Sequence, residues 1–245
     1  MGDEKIIKKM VTEMVEKNQL VMPKEDLSNF KKLVPALIDK GVDNLNLSMF
    51  SNEMKLGLLN ALGDEYLRKG KVPEAIKVFI LSGNRKKLVE IGEDYEKIGL
   101  FSDAIDAYRL SGDHDKLMKT GNKCLSEGHM SDAIKAFRIL NDVDKLASVG
   151  DDCLRKGKWD YALEVFNAIS NKNKLVELGD KCLEDRQIAL AAKAYELSGD
   201  KAKLSSLGDT CLKEGLIATA LKAYTLAGNE IMVQFIKENF SNKLI

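Results

Sequence analysis

The stretch Gly150-Asp151-Asp152-Cys153-Leu154-Arg155-Lys156-Gly157 (GDDCLRKG) contains one of the four cysteines in this chain of 245 residues. Cys124, Cys153, Cys182 and Cys211 are 29 residues apart. The same step separates six glycines, six alanines and six aromatic residues. These are Gly63, Gly92, Gly121, Gly150, Gly179 and Gly208; Ala75, Ala104, Ala133, Ala162, Ala191 and Ala220; and Phe79, Tyr108, Phe137, Phe166, Tyr195 and Tyr224. A fixed period of this length is the sequence signature of a repeat protein.

The cysteine position is one slot of this repeat, and its occupants indicate a packing role. One and two periods before Cys124 the slot holds Tyr95 and Tyr66, so it accepts a phenol or a thiol. Stacked helices lie about 8–10 Å apart, farther than the roughly 7 Å between Cα atoms that a disulfide allows. Paired C-x-x-C spacing, typical of zinc sites, is absent. We therefore expect small buried apolar side chains, with no metal or cofactor. A redox or catalytic thiol is the alternative, which is disfavoured because no histidine recurs beside the cysteines.

Each unit is predicted to form two helices. Its first position holds Asn or Asp in every copy, and these residues are preferred as helix N-caps. The set is Asn84, Asp113, Asp142, Asn171, Asp200 and Asn229. In the third unit, Leu117, Gly121 and Cys124 fall on one face of the first helix. We expect a first helix of about 14 residues and a second of about ten.

Turn residues separate these helices. Gly128, and glycine in the same slot of four other units, is suited to end the first helix in the left-handed conformation. Arg186 is the exception in that slot. Ser131 is a plausible cap for the second helix. The next turn begins with Gly in four units and with Asn141 or Ser170 in the other two. Between these turns, the glycine and alanine slots fit a close approach of the two helices.

The run Leu62-Gly63-x-x-Tyr66, followed by Gly70, Ala75 and Phe79, resembles the tetratricopeptide repeat (TPR). The match recurs from about Leu56 to Gly228, although the unit has 29 residues against about 34 in that family. The resemblance implies an all-α fold, a right-handed α-solenoid of stacked antiparallel helix pairs with helical end caps. The short α-solenoid repeats of vesicle-coat proteins are the neighbouring possibility.

The chain divides into three predicted parts. Residues 1–50 form an N-terminal helical cap or partner segment, residues 51–228 form six repeats, and residues 229–245 form a C-terminal capping helix. In the first part we expect an amphipathic helix over residues 5–18 and a second helix over residues 25–40, with Pro35 as a kink or restart. A cap is favoured because solenoid ends must be covered. A dimerisation or partner helix, or a segment folded into the groove, are the alternatives. In the last part Lys237 stands where the repeat predicts Gly.

By resemblance to the TPR family, the first helices should line a concave, partner-binding face. The residue after each repeated Gly and the residue one turn before it define that face. They are Asn60, Asp64, Val89, Glu93, Met118, Asn122, Ala147, Asp151, Val176, Asp180, Ser205 and Asp209.

Two interpretations of this face are open. In one it is solvated and self-paired, through acid–base pairs four residues apart such as Asp64–Arg68, Glu93–Lys97, Asp151–Arg155 and Asp209–Lys213, each contributing about 0.2–0.5 kcal/mol. In the other, an apolar strip from Val89 to Val176 beside an acidic row binds a peptide with apolar anchors and a few basic side chains. The acidic row disfavours carboxylate-terminated peptides.

Composition limits the function classes. Lys+Arg and Asp+Glu number 38 each, so no net charge attracts nucleic acid or an anionic membrane. No apolar run approaches the roughly 20 residues that span a bilayer, and residues 1–6 lack the apolar core of a signal peptide, so we expect a cytoplasmic protein.

The recurring acids stand one repeat apart, and the chain has only two histidines, so no catalytic set is apparent and we expect no enzyme. The sequence favours a non-enzymatic scaffold or adaptor that binds a protein or peptide partner. A helical-repeat nucleic-acid-binding protein, or a non-catalytic subunit of a coat or trafficking complex, are the alternatives. The partner's identity and the oligomeric state stay open.

Overall fold

The structure, a computed structural model, describes residues 33–240, and all regular structure in that range is helical. Helix α1 spans Val34–Lys40 and is followed by a short 3-10 helix, Val42–Asn44. Thirteen further helices follow. They are α2 (Asn52–Arg68), α3 (Val72–Ser82), α4 (Arg85–Lys97), α5 (Phe101–Ser111), α6 (His114–Glu127), α7 (Met130–Leu140), α8 (Val143–Arg155), α9 (Trp159–Ala168), α10 (Lys172–Glu184), α11 (Ile188–Ser198), α12 (Lys201–Lys213), α13 (Ile217–Ala227) and α14 (Glu230–Asn239).

The helices alternate in the predicted way. The first helices of the repeats carry even numbers, from α2 to α12, and have 13 to 17 residues. The second helices carry odd numbers, from α3 to α13, and have 10 or 11 residues. The two helices of a repeat pack against each other, as in α4 with α5 and α12 with α13, and a second helix packs on the next first helix, as in α9 with α10. The all-α repeat architecture is thus confirmed.

The chain divides into two compact units, with the boundary between Leu117 and Met118. In the first unit, Leu62, Tyr66 and Phe79 are buried in the core. Helix α1 packs on α2 and buries Leu33 and Val34. Pro35 is in the first turn of α1, so the described helix begins beside this proline and is not kinked by it. The predicted helix over residues 5–18 and the predicted segment over residues 25–32 lie outside the described residues.

In the second unit the four cysteines are part of the core. Cys124, Cys153, Cys182 and Cys211 are fully buried, and these four cysteines form no disulfide. They lie on four successive first helices, among apolar side chains such as Phe137. The prediction that these residues are small buried packing elements is confirmed.

The repeated glycines allow the close approach that the sequence predicts. A Cβ atom added to Gly150 would lie 2.5 Å from Cε1 of Phe166, and one added to Gly63 would lie 2.5 Å from Cε1 of Phe79. The same relation holds in every repeat, so the aromatic ring of each second helix packs directly on the glycine backbone of the first.

Helix ends follow the predicted capping with one correction. The Asn or Asp at the start of each first helix accepts a hydrogen bond from the backbone N–H three residues on, at 2.9–3.2 Å. Ser51 caps α2 in the same way. The predicted cap Ser131 is wrong, because α7 already begins at Met130 and has no side-chain cap. The turn between α6 and α7 leads directly into α7. In this turn the N–H of His129 donates to the carbonyl of Cys124 at 2.8 Å.

The turns keep the left-handed conformation even where glycine is replaced. Arg186 takes a φ of 58°, and Asn141 and Ser170 take a φ of 53°. At the C-terminal end Ile236 is fully buried and Lys237 is exposed. The limits of the three predicted parts stay a prediction. Within residues 33–240, no helix has both the length and the apolar character needed to cross a bilayer.

Candidate partner-binding face

The predicted face residues lie on the first helices. In the first unit, Asn60 and Asp64 are on α2, and Val89 and Glu93 are on α4. In the second unit, α6, α8, α10 and α12 carry the rest. The positions one turn before the glycines are half-buried throughout, so the apolar members Val89, Met118, Ala147 and Val176 present only part of their surface to solvent.

Four carboxylates of the predicted acidic row form ion pairs with a lysine of the following repeat. In the first unit, Lys87 Nζ lies 3.5 Å from Asp64 and Lys116 Nζ lies 2.7 Å from Glu93. In the second unit, Lys174 Nζ lies 2.9 Å from Asp151 and Lys203 Nζ lies 2.6 Å from Asp180. We call these four contacts the inter-repeat ion pairs. Each lysine is the third residue of its helix, and its own backbone N–H donates to the N-cap.

These contacts change the self-paired interpretation of the face, in which the acids pair within their own helix. Arg68, Lys97 and Arg155 bind instead to the acid three residues before them: Glu65, Asp94 and Asp152. Sequence analysis missed the lysines, although Lys87, Lys116, Lys145, Lys174 and Lys203 also recur with the 29-residue period. The 29-residue recurrence of these lysines is the sequence signal that identifies them.

Hydrogen bonds reinforce one ion pair in particular. Asp180 accepts from Lys203 Nζ at 2.6 Å and from Tyr195 Oη at 2.7 Å. Burial alone would raise the pKa of Asp180, but these two hydrogen bonds outweigh it and hold the pKa below its usual value. The carboxylate is therefore charged at neutral pH and bound within the protein.

The tyrosines of the aromatic slot act as hydrogen-bond donors. Tyr224 Oη donates to Asp209 at 2.6 Å, and Tyr108 Oη donates to Glu96 at 3.0 Å. Burial, followed by the acceptor carboxylate, raises the pKa of Tyr195, Tyr224 and Tyr108. These hydroxyls consequently stay protonated at neutral pH and position the acids.

The two polar residues at the ends of the apolar strip contact the next N-cap. Asn60 Oδ1 accepts from Asn84 Nδ2 at 2.9 Å, and Ser205 Oγ accepts from Asn229 Nδ2 at 2.9 Å. Asp113 is the N-cap that follows Val89 by the same spacing. Its carboxylate has no N–H₂ group that needs an acceptor, so an apolar residue is tolerated at Val89. The polar residues in this slot therefore serve the N-caps.

Groups suited to chemistry do not converge on this face. In the described part of the chain, no three His, Cys, Asp or Glu residues stand close enough to hold a metal ion. Burial raises the pKa of Cys153 and Cys211, and it raises that of Cys182 to about 11, so these thiols are protonated and unreactive at neutral pH.

Comparison with known proteins adds little to this geometry. No family model matches the sequence, and no curated protein matches it. One similar solved structure is described as a circular tandem repeat protein with novel repeat topology and enhanced subunit contact surfaces. The alignment has 15% sequence identity and a TM-score of 0.29, and it covers 97% of this chain and 65% of that one. The chain thus spans less than two thirds of that protein. The description of the fold rests on the helix pairs above.

Proposed function

We propose that this protein is a non-enzymatic scaffold or adaptor that binds a protein or peptide partner along its first helices. Tandem helical repeats support this proposal, because they present the same helix face again and again to one extended ligand. The proposal is placed on the second unit, where α6, α8, α10 and α12 follow one another.

The observation that carries the proposal is the combination of apolar and paired charged groups on that face. Met118, Ala147 and Val176 are half-buried, so a partner can still remove part of their surface from water. Beside them, Asp151 and Asp180 already form inter-repeat ion pairs. A partner that covers the apolar residues therefore buries carboxylates that already have a counter-charge, which lowers the free-energy cost of removing them from water.

The same ion pairs narrow the chemistry that is expected of the partner. A partner with apolar anchors and a few basic side chains fits the face, but its basic side chains find four of the acids already occupied. Charge reversal of Asp151 and Asp180 would break inter-repeat ion pairs, so it would report on stability as well as on binding. The apolar positions give the cleaner test.

The experiment places a charge on the apolar positions. Ala147→Glu and Val176→Glu are compared with Leu216→Glu, which introduces the same charge at an exposed apolar residue in the turn before α13. Immobilised protein is incubated with a cell extract, and the bound proteins are quantified by mass spectrometry. We expect one set of partners to fall about ten-fold in both first-helix variants and to persist with Leu216→Glu.

Two results would contradict this function. One is a set of bound proteins that does not differ between the wild type and both first-helix variants. The other is a loss in the Leu216→Glu variant alone, which would place binding elsewhere. Circular dichroism of each variant confirms that helicity is retained.

Two finer assignments belong to the same proposal. The order Leu-Gly-x-x-Tyr, Gly, Ala, Phe in the first repeat supports membership of the TPR family with a shortened unit. Four buried cysteines that form no disulfide support a reducing compartment such as the cytoplasm.

A further inference from the structure

The last repeat interface lacks the lysine that stands in the same slot of every earlier one. Lys174 Nζ lies 2.9 Å from Asp151 and 2.9 Å from Glu177, so one lysine joins two acids. Lys87 joins Asp64 and Glu90 in the same way in the first unit, at 3.5 and 2.9 Å. Two periods after the Asp151–Lys174–Glu177 set, the same slots hold Asp209, Met232 and Phe235.

Two of the three charged groups are thus replaced by apolar side chains, while the acid is kept. Asp209 accepts one hydrogen bond, from Tyr224 Oη, and within residues 33–240 it has no ion-pair partner. It differs in this from Asp64, Glu93, Asp151 and Asp180, each of which meets a lysine.

Apolar surface is exposed on α14, whose N-cap Asn229 donates a hydrogen bond to Ser205, one turn before Asp209 on α12. Met232 is half-buried, and Phe235 is 43% exposed. Ile231, which precedes Met232 on α14, is 82% exposed. A carboxylate without a counter-charge beside exposed apolar side chains is complementary to a segment that is both basic and apolar.

We propose, resting on the function proposed above, that Asp209, Met232 and Phe235 form a docking site for a partner segment with a lysine or arginine next to an apolar side chain. The partner's cation takes the position that Lys174 has in the earlier interface. Its apolar side chain covers Met232 and Phe235. The basic side chain of the partner binds at this site.

The test uses two labelled 12-residue peptides of leucine and serine, one with a central lysine and one with glutamine in its place. Fluorescence anisotropy measures their binding to the full chain. We expect the lysine peptide to bind up to about five-fold more tightly at low salt, the upper end for an exposed ion pair. The preference should shrink in about 0.5 M NaCl, where the charges are screened.

Substitutions then locate the site. Asp209→Asn should remove the preference for lysine, and so should Met232→Lys, which supplies the missing cation from within the chain. Asp185→Asn makes the same charge change at an exposed turn residue and should keep the preference. Thermal unfolding of Met232→Lys should show a melting temperature at or above that of the wild type, which excludes misfolding as the cause.

Two outcomes would overturn this site. The first is an unchanged preference for lysine in Asp209→Asn. The second is an unchanged preference for lysine in Met232→Lys, measured on a variant that keeps the wild-type melting temperature. Either outcome leaves the proposed function standing if Ala147→Glu and Val176→Glu still lose their partners, so the two failures are distinguishable.

Discussion

A glycine in the middle of each first helix lets an aromatic ring of the second helix rest against the backbone. At Gly150 an added Cβ would lie 2.5 Å from Cε1 of Phe166 and 2.9 Å from Cγ1 of Val165. Both neighbours are fully buried, so neither can move aside without disturbing the core. The glycine is thus required by packing at this position.

Gly150→Ala is expected to destabilise the protein by about 1–3 kcal/mol, the usual range for overpacking a core. Urea unfolding followed by circular dichroism measures the change in the free energy of unfolding. The double variant Gly150→Ala/Phe166→Leu should recover part of the loss, because the smaller side chain makes room for the methyl group. An unchanged midpoint in the single variant would refute the close approach.

Arg186 provides the opposite case, a residue with a side chain where the backbone favours glycine. Its φ of 58° costs a residue with a Cβ about 1–2 kcal/mol. We expect Arg186→Gly to raise the free energy of unfolding by about 1 kcal/mol. Gly215→Arg, in the same slot one repeat later, should lower it by a similar amount. A destabilising Arg186→Gly would show that the arginine side chain has a role of its own.

Between helices, the four inter-repeat ion pairs join α2 to α4, α4 to α6, α8 to α10 and α10 to α12. The Asp180–Lys203 contact is 2.6 Å, and the side chains are 43% and 40% exposed, so solvent weakens the attraction. We expect Asp180→Asn to cost roughly 1 kcal/mol or less at neutral pH.

The pH dependence of this pair has a definite sign. The pKa of Asp180 is lower in the folded state than in the unfolded chain, so its contribution is complete above the unfolded value and is lost as pH falls through the folded value. The stability difference between wild type and Asp180→Asn should therefore shrink in strong acid. Urea unfolding at about pH 7 and about pH 2.5 tests this on either side of the unfolded Asp pKa of about 3.9. A difference that grows in acid would contradict the ion pair.

At the scale of the whole molecule, the cysteines report on folding. A thiol with a pKa of about 11, as at Cys182, is thiolate in only about one molecule in a thousand at pH 8. Because the thiols are also fully buried, we expect iodoacetamide to label them only after unfolding in urea. Mass spectrometry of labelled native and unfolded protein measures this. Chelators and reductants should leave the unfolding midpoint unchanged, and labelling of the native protein at the unfolded rate would contradict the buried packing role.

Much of the fold follows from the sequence alone. The 29-residue period, the Asn and Asp caps and the glycine turns act over a few residues, so local physical chemistry determines the helix pairs. The glycine and alanine slots, such as Gly150 and Ala162, predicted the close approach because only two neighbouring helices are involved, whereas the contact of Phe166 with the glycine is seen in the structure. The burial of the thiols followed from a slot that tyrosine also occupies.

The charge pairing at the candidate site depends on contacts between residues that are far apart in the sequence. Asp151 and Lys174 are 23 residues apart and on different helices, and their contact depends on how each first helix is rotated against the next. Spacing along one helix suggested Arg155 as the partner of Asp151, yet Arg155 binds Asp152. Periodicity along the sequence thus determined which residues recur, whereas the packing of successive repeats decided which charges meet and which, like Asp209, have no ion-pair partner within residues 33–240.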